Sequence, residues 1–198
     1  VTINASGCTG LTASGYKTAG ATVNIVLDPV TVQVTTQEAD GTAVGSVNTF
    51  LQVSSSASGY PYLGSCTLNR NGSTTVTVTH TAHGLVTSDK VSIIASGVAA
   101  DAVGVFTITV TDANTYTYVS GATSKIGPAA GTSTFVLLYG LSNATTGVIS
   151  MSKVFTDGQG VSGNARKGST GPYWKTRQLT GSISVPGGLS ITALMLPD

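Results

Sequence analysis

The chain has 198 residues, enough for one or two domains with proper cores. Charged residues make up only 9% of it, against roughly 25% in an average soluble protein. The net charge is +1, which leaves no electrostatic footprint for nucleic acid or for an acidic substrate, and no run of about 18 apolar residues offers a transmembrane helix.

Residues 1–27 read as an N-terminal extended arm. Short apolar pieces, Val1 to Ile3 and Thr22 to Leu27, flank a Gly/Ser/Thr-rich segment that would bury little surface alone. The arm is expected either to pair with another chain or to be a leader ending in a first strand. The chain begins with Val, as expected of a processed product, a fragment or the ordered part of something longer. Asp28-Pro29 marks a turn. Val30 to Thr35 and Val47 to Ser54 read as strands, and Asp40-Gly41 between them fits a tight hairpin turn. Ser55 to Gly59 is a small-residue linker.

The clearest period-2 writing lies between Ser73 and Ser120. Thr75, Thr77 and Thr79 alternate with Val76, Val78 and His80. Farther on, Phe106, Ile108 and Val110 alternate with threonines, as do Tyr116 and Tyr118. Such alternation sets one row of side chains on a core and the other on water. Asn71-Gly72 is the strongest hairpin signal, joining Cys66–Asn69 to Thr74–His80. Further turn signals stand at His83-Gly84, Ser88-Asp89, Ser96-Gly97, Val103-Gly104 and Asp112-Ala113-Asn114. Lys125 to Gly131 reads as a second linker.

From Thr134 the chain returns to strand. Phe135 to Tyr139 is continuously apolar, as for a strand covered on both faces. Strands are expected at Val148–Met151, Val161–Arg166, Leu179–Val185 and Leu189–Leu196, with turns at Leu141–Gly147, Phe155–Gly160 and Pro186-Gly187-Gly188. No segment carries a helical period over ten residues. The chain is therefore expected to be all-β, with one domain inserted into another: an outer part from 28–62 and 132–198, and an insert from 63–131.

Residues able to carry chemistry are few. Cys8 and Cys66 form either a bridge or two buried thiols; without a Cys-x-x-Cys they do not suggest zinc. His80 and His83 lack a third ligand nearby and read as strand-end and turn histidines. The eight acids sit mostly beside turn residues, where they cap backbone. Lys17, Lys153, Asn48 and Glu38 are available for an isopeptide bond, but no motif selects a pair. Three N-x-S/T triplets, at Asn4, Asn71 and Asn143, are expected by chance in so Ser/Thr-rich a chain. No phosphate loop, nucleophile elbow or EF-type calcium loop is present. No catalytic residue, cofactor or metal is assigned. One cluster stands out: Arg166, Lys167, Lys175 and Arg177 flank Tyr173 and Trp174, the only Trp. An Arg/aromatic patch of this kind is either an interface that also suits an anionic glycan, or a hairpin whose Trp packs on its own sandwich.

Two stretches resemble known modules. Thr79 to Val119 resembles a small β-barrel module of phage structural proteins. The likeness is carried by His83-Gly84, Asp89, Val91, Ile93, Gly104, Phe106, Val110 and Tyr116-Thr117-Tyr118, with Ala102-Val103 where an Asn usually precedes the glycine. Around it, Asp40-Gly41 with Val44, and Leu141 to Ile149, resemble the turns of carboxypeptidase-regulatory-like and transthyretin-like sandwiches, with Asn143 where Asp is usual. Gly163 to Lys175 is similar to a segment that follows this arrangement in phage proteins, with Asn164 in place of a Trp.

These resemblances imply an Ig-like or transthyretin-like antiparallel β-sandwich interrupted by an inserted small β-barrel. They imply a non-enzymatic virion structural protein of a tailed phage: a capsid decoration, fibre or tail appendage. Its expected partners are copies of itself and other virion proteins, with a host-surface glycan as a further candidate and neither nucleic acid nor membrane among them. A surface poor in charge suits that role, because packing subunits together then buries little unpaired charge. The alternative is a bacterial cell-surface adhesin or carbohydrate-binding module, which shares the fold and the composition.

Overall fold

A computed structural model of the chain describes residues 29–55, 62–168 and 174–197. The expected N-terminal arm at 1–27, with Cys8, lies outside these residues, as does most of the first linker. Among the described residues the fold is nearly all β, and its one helical element is a short 3-10 turn at Ala100–Ala102. The strands are β1 (Val30–Gln37), β2 (Asn48–Val53), β3 (Leu63–Arg70), β4 (Thr75–Thr79), β5 (Lys90–Ala95), β6 (Gly104–Thr107) and β7 (Thr109–Asp112), followed by β8 (Thr115–Val119), β9 (Ile126–Leu141), β10 (Val148–Lys153), β11 (Gln159–Arg166), β12 (Arg177–Ile183) and β13 (Leu189–Leu194).

Two sheets form a sandwich. A three-stranded sheet has the order β10-β1-β13, in which β1 and β13 run parallel. That pair is an exception to the antiparallel arrangement expected. The larger sheet runs β12-β11-β2-β9-β3-β4-β8-β7, and β5 joins it against β9 while pairing with β6 on its other side. Alternation makes the sandwich core. Val30, Val32, Val34 and Thr36 of β1 point inward, as do Leu51 and Val53 of β2, Val161 and Ala165 of β11, and Leu179 and Ile183 of β12. These apolar residues belong to one contiguous core that also takes in Leu68, Val76, Val78, Tyr116 and Tyr118 of the insert.

Turn chemistry is where residue identity tells most. Asn143 stands where the resemblance leads one to expect Asp, and it does the same work: its Oδ1 accepts from the amides of Thr145 and Thr146 at 2.9 and 3.0 Å. Gly147 ends that turn at φ +67°, and a Cβ on it would lie 2.3 Å from the Thr36 carbonyl oxygen. Thr36 itself is fully buried and donates to the carbonyls of Val44 and Gly147 at 2.6 and 2.8 Å. Asp40-Gly41 also makes a turn, with Asp40 Oδ1 accepting from the Thr42 amide at 2.9 Å. The expected hairpin does not follow. Only Gln37 and Ala43 bridge across the turn, after which β1 and β2 part into different sheets. Burial drives that parting, because each strand has an apolar face that must meet the other across the core.

The insert follows its alternation. Val76, Val78 and His80 are buried while Thr75, Thr77 and Thr79 are exposed. Asn71-Gly72 joins β3 to β4 as expected, in the register Leu68 opposite Val78. Among the described residues no closed hydrogen-bonded barrel is found, against the expectation of an inserted barrel. Strands β6 and β7 are one stretch broken at Ile108, with β6 on β5 and β7 on β8. At the break, Ile108 bonds through its own backbone to Ser88 and Asp89. Strands β3 to β8 with the adjoining part of β9 thus form a curled sheet in which chain continuity between β6 and β7, not a ladder, links the two ends.

Residues 125–131 are not a linker. From Ile126 they are the first half of β9, a strand of 16 residues that pairs with β3 from Ile126 to Thr134, with β5 from Gly131 to Val136 and with β2 from Val136 to Leu141. Small residues misled because they answer to packing rather than to flexibility. A Cβ on Gly131 would sit 2.8 Å from both the Ile94 carbonyl oxygen and Leu68 Cδ1, so three strands meet there with no room for a side chain. Pro128 falls where the β3–β9 register shifts, an irregularity at which the missing N–H is tolerated. The expected division at 131/132 therefore runs through the middle of a continuous strand.

Two contacts reinforce that join. Tyr62, Phe135 and Phe155 form a ring cluster with centroids 5.2 to 6.3 Å apart. Lys153 of β10 pairs with Asp89 of the insert at 2.7 Å and lies 5.1 Å from the centre of the Phe135 ring. Both side chains are largely shielded, at 13% and 11% exposure, so this pair is screened less than a surface one. Lys153→Met keeps most of the stem packing and removes the charged bond. It should cost about 2 kcal/mol, read as a lower denaturation midpoint in urea. An unchanged midpoint would show the pair to be energetically silent.

Candidate functional site

The outward row of β2 is Asn48, Phe50 and Gln52, and the outward row of β11 is Ser162, Asn164 and Arg166. The ladder sets them side by side. Arg166 lies opposite Asn48, which lies opposite Leu141 of β9; Asn164 lies opposite Phe50, which lies opposite Tyr139. A register shift between Leu51 and Gln52 bends the sheet just beyond. The result is a shallow groove of about 430 Å³ on the outer face, lined by Asn48, Thr49, Phe50, Tyr139, Gly140, Leu141, Asn164 and Arg166.

Three kinds of chemistry meet in it. Phe50 and Tyr139 pack edge to face, with centroids 6.4 Å apart and planes at 90°. Tyr139 is 55% exposed and Leu141 59%, so much of this apolar surface faces water. Among the described residues Arg166 is the only charged side chain in the lining.

The residues singled out from the sequence are dispersed. Arg166 stands at the groove. Lys167 is half-buried just past the end of β11. Arg177 starts β12 opposite Ala165, one residue out of step with Arg166 and so on the other face of the sheet, where it is half-buried. Trp174 is 9% exposed and belongs to the core, bridging to Pro197 by backbone, and its indole N–H has no hydrogen-bond partner among the described residues. Tyr173 lies outside the described residues. Of the cluster, Arg166 alone lines the groove. Of its neighbours there, Phe50 and Tyr139 read from sequence only as strand, Asn48 only as one of four residues available for an isopeptide bond, and Asn164 only as a departure from the phage-like segment. Phe50 breaks an otherwise polar parity between Asn48 and Gln52, but a single apolar residue on the water face of a strand is ordinary; the contact surface shows only when the fold sets Tyr139 and Leu141 beside it.

The ionisable groups of the insert serve the fold. His83 accepts from the Leu85 amide at Nδ1, at 2.9 Å, and donates from Nε2 to the Asp112 carbonyl at 3.1 Å. Both ring nitrogens are thereby committed to backbone, in keeping with a turn histidine. Tyr116 bonds Ser133 Oγ at 2.5 Å and Tyr118 donates to the Ala102 carbonyl, and burial raises the pKa of both phenols. Cys66 is a buried free thiol whose pKa burial pushes up to about 11. In a Cys8→Ser chain at pH 8, Cys66 should therefore react with a disulfide reagent only as fast as the protein opens. Rapid labelling of the native protein would contradict that burial.

No family model and no curated protein matches the chain. Among solved structures it is similar to the phage phi92 endosialidase, at 18% identity and a TM-score of 0.32, over 61% of this chain and 22% of that one. The chain thus spans about a fifth of the length of that structure, and a likeness of this degree carries no functional argument.

Proposed function

We propose that the chain is a structural component of a tailed-phage particle, working by assembly and contact rather than by turnover. One observation carries the reading. Among the described residues the sheets end in strands with no neighbour on one side: β10 and β13 in the small sheet, β12, β7 and β6 in the large one. An unpaired edge is a template for another strand, from the N-terminal arm of a neighbouring copy or from a different virion protein. The low charge of the chain supports it, since such contacts then bury few ions. The resemblance of Thr79–Val119 to a phage structural module supports the setting.

Light scattering on the purified full chain, together with co-sedimentation with particles, tests the proposal. The expected result is a discrete oligomer, or saturable association with particles that lack this protein. A monodisperse monomer at high concentration that never associates with particles would overturn it.

A further inference from the structure

We infer that the groove between Phe50, Tyr139 and Arg166 binds a saccharide bearing a carboxylate. The inference names a partner for the particle protein proposed above, and rests on that reading only for where such a sugar would be met, on a host surface. A pyranose ring offers three things: a C–H face, a rim of hydroxyls and, in an acidic sugar, one carboxylate. The groove offers a match for each.

The exposed ring of Tyr139, held edge-on by Phe50, gives an apolar platform of the right size for one sugar face. Asn48 and Asn164 flank it, and neither side chain makes a hydrogen bond among the described residues, so each has a donor and an acceptor to give to hydroxyls. Arg166 closes the row. It is exposed, has no ion pair among the described residues and meets no acid in the lining. A guanidinium takes a carboxylate through two parallel N–H bonds, which fixes orientation as well as charge. A volume of about 430 Å³ fits one or two sugar rings.

Charge decides against the other occupants. A second copy docked groove to groove would bury two Arg166 guanidiniums with no acid in either lining to pair them. A nucleic acid would need several phosphate partners, and the lining holds one cation.

The test uses the full chain on an array of hexuronate-terminated oligosaccharides and their neutral hexose counterparts, followed by calorimetric titration of the best ligand. Acidic glycans are expected to bind and their neutral counterparts to bind at least tenfold more weakly. Arg166→Gln, which keeps hydrogen-bonding ability but not charge, should weaken binding about tenfold, as should Tyr139→Ala. Both residues are exposed, and circular dichroism would confirm that the variants fold. Four results would overturn the inference: no binding at millimolar ligand, equal binding of neutral and acidic glycans, an unchanged affinity in Arg166→Gln, or a Tyr139→Ala variant whose sole effect is to dissolve an oligomer. Any of these leaves incorporation into particles untouched, so the two proposals fail separately.

Discussion

Phe135→Ala should destabilise the protein by about 4 kcal/mol and lower the unfolding transition of the whole molecule. Phe135 is 1% exposed and sits in β9 at the point where the outer sandwich and the insert share a strand. Its ring meets Tyr62 and Phe155 and lies beneath the ammonium of Lys153. Truncation removes the transfer free energy of a benzyl group and leaves a cavity between rings that cannot close over it, because β9 is pinned by β2, β5 and β3. Phe135→Leu, which fills most of the space, should cost roughly 1.5 kcal/mol. Two probes read the two parts separately. Trp174 fluorescence reports on the sandwich, and exposure of the buried Cys66 thiol of β3, followed by labelling in a Cys8→Ser chain, reports on the insert. With Phe135 intact or truncated, the two should change together. Separate transitions would mean that β9 does not couple the parts.

Arg70→Leu should cost roughly 3 kcal/mol, for a different reason. The guanidinium is completely buried at the end of β3. It donates to Asp101 Oδ2 at 2.5 Å, to Ser120 Oγ at 2.6 Å and to the carbonyl and hydroxyl of Ser124 at 2.5 Å. One side chain therefore ties the 3-10 turn to the chain leaving β8. Leucine fills part of the volume but leaves those acceptors without their donor, and unmade bonds cost more than made ones contribute. The same pair sets an acid dependence. The Arg70 hydrogen bond, helped by the Ala122 amide, holds the Asp101 carboxyl below the usual aspartate range. A folded-state pKa below the unfolded one contributes stability that is present above the unfolded value, near pH 4, and is lost as pH falls through the folded value. Wild type and Arg70→Leu should therefore differ most above about pH 5 and converge in acid. A gap that stays constant down to pH 2 would show that Asp101 contributes nothing to it.

Arg70 also illustrates what a sequence can and cannot disclose. An arginine beside Asn71-Gly72 looks like a solvated turn residue, and only the fold brings Asp101, Ser120 and Ser124 around it. The legible features were those set by local rules. Period-2 writing placed β4 and β8, a continuous apolar run placed the part of β9 that is buried as far as Leu138 but left Tyr139 exposed against expectation, and Asn143 with Gly147 marked a turn whose chemistry the structure repeats. The features that stayed hidden depend on distant partners. Gly131 reads as a linker residue until Ile94 and Leu68 close on it from two strands. Arg166 and Arg177 look like one patch in sequence, yet the ladder puts them on opposite faces. The groove draws on β2, β9 and β11, three segments separated by most of the chain, so no window of sequence contains it.

Electron cryomicroscopy of intact particles from the native source, with this chain located by a bound antibody fragment, tests the proposed role most directly. The expected result is density for the sandwich and its curled insert at many symmetry-related positions, joined to neighbours through strand edges, with the Tyr139 and Arg166 face turned outward. Particles that carry no copy of the chain, while the protein is found free as a monomer, would contradict it.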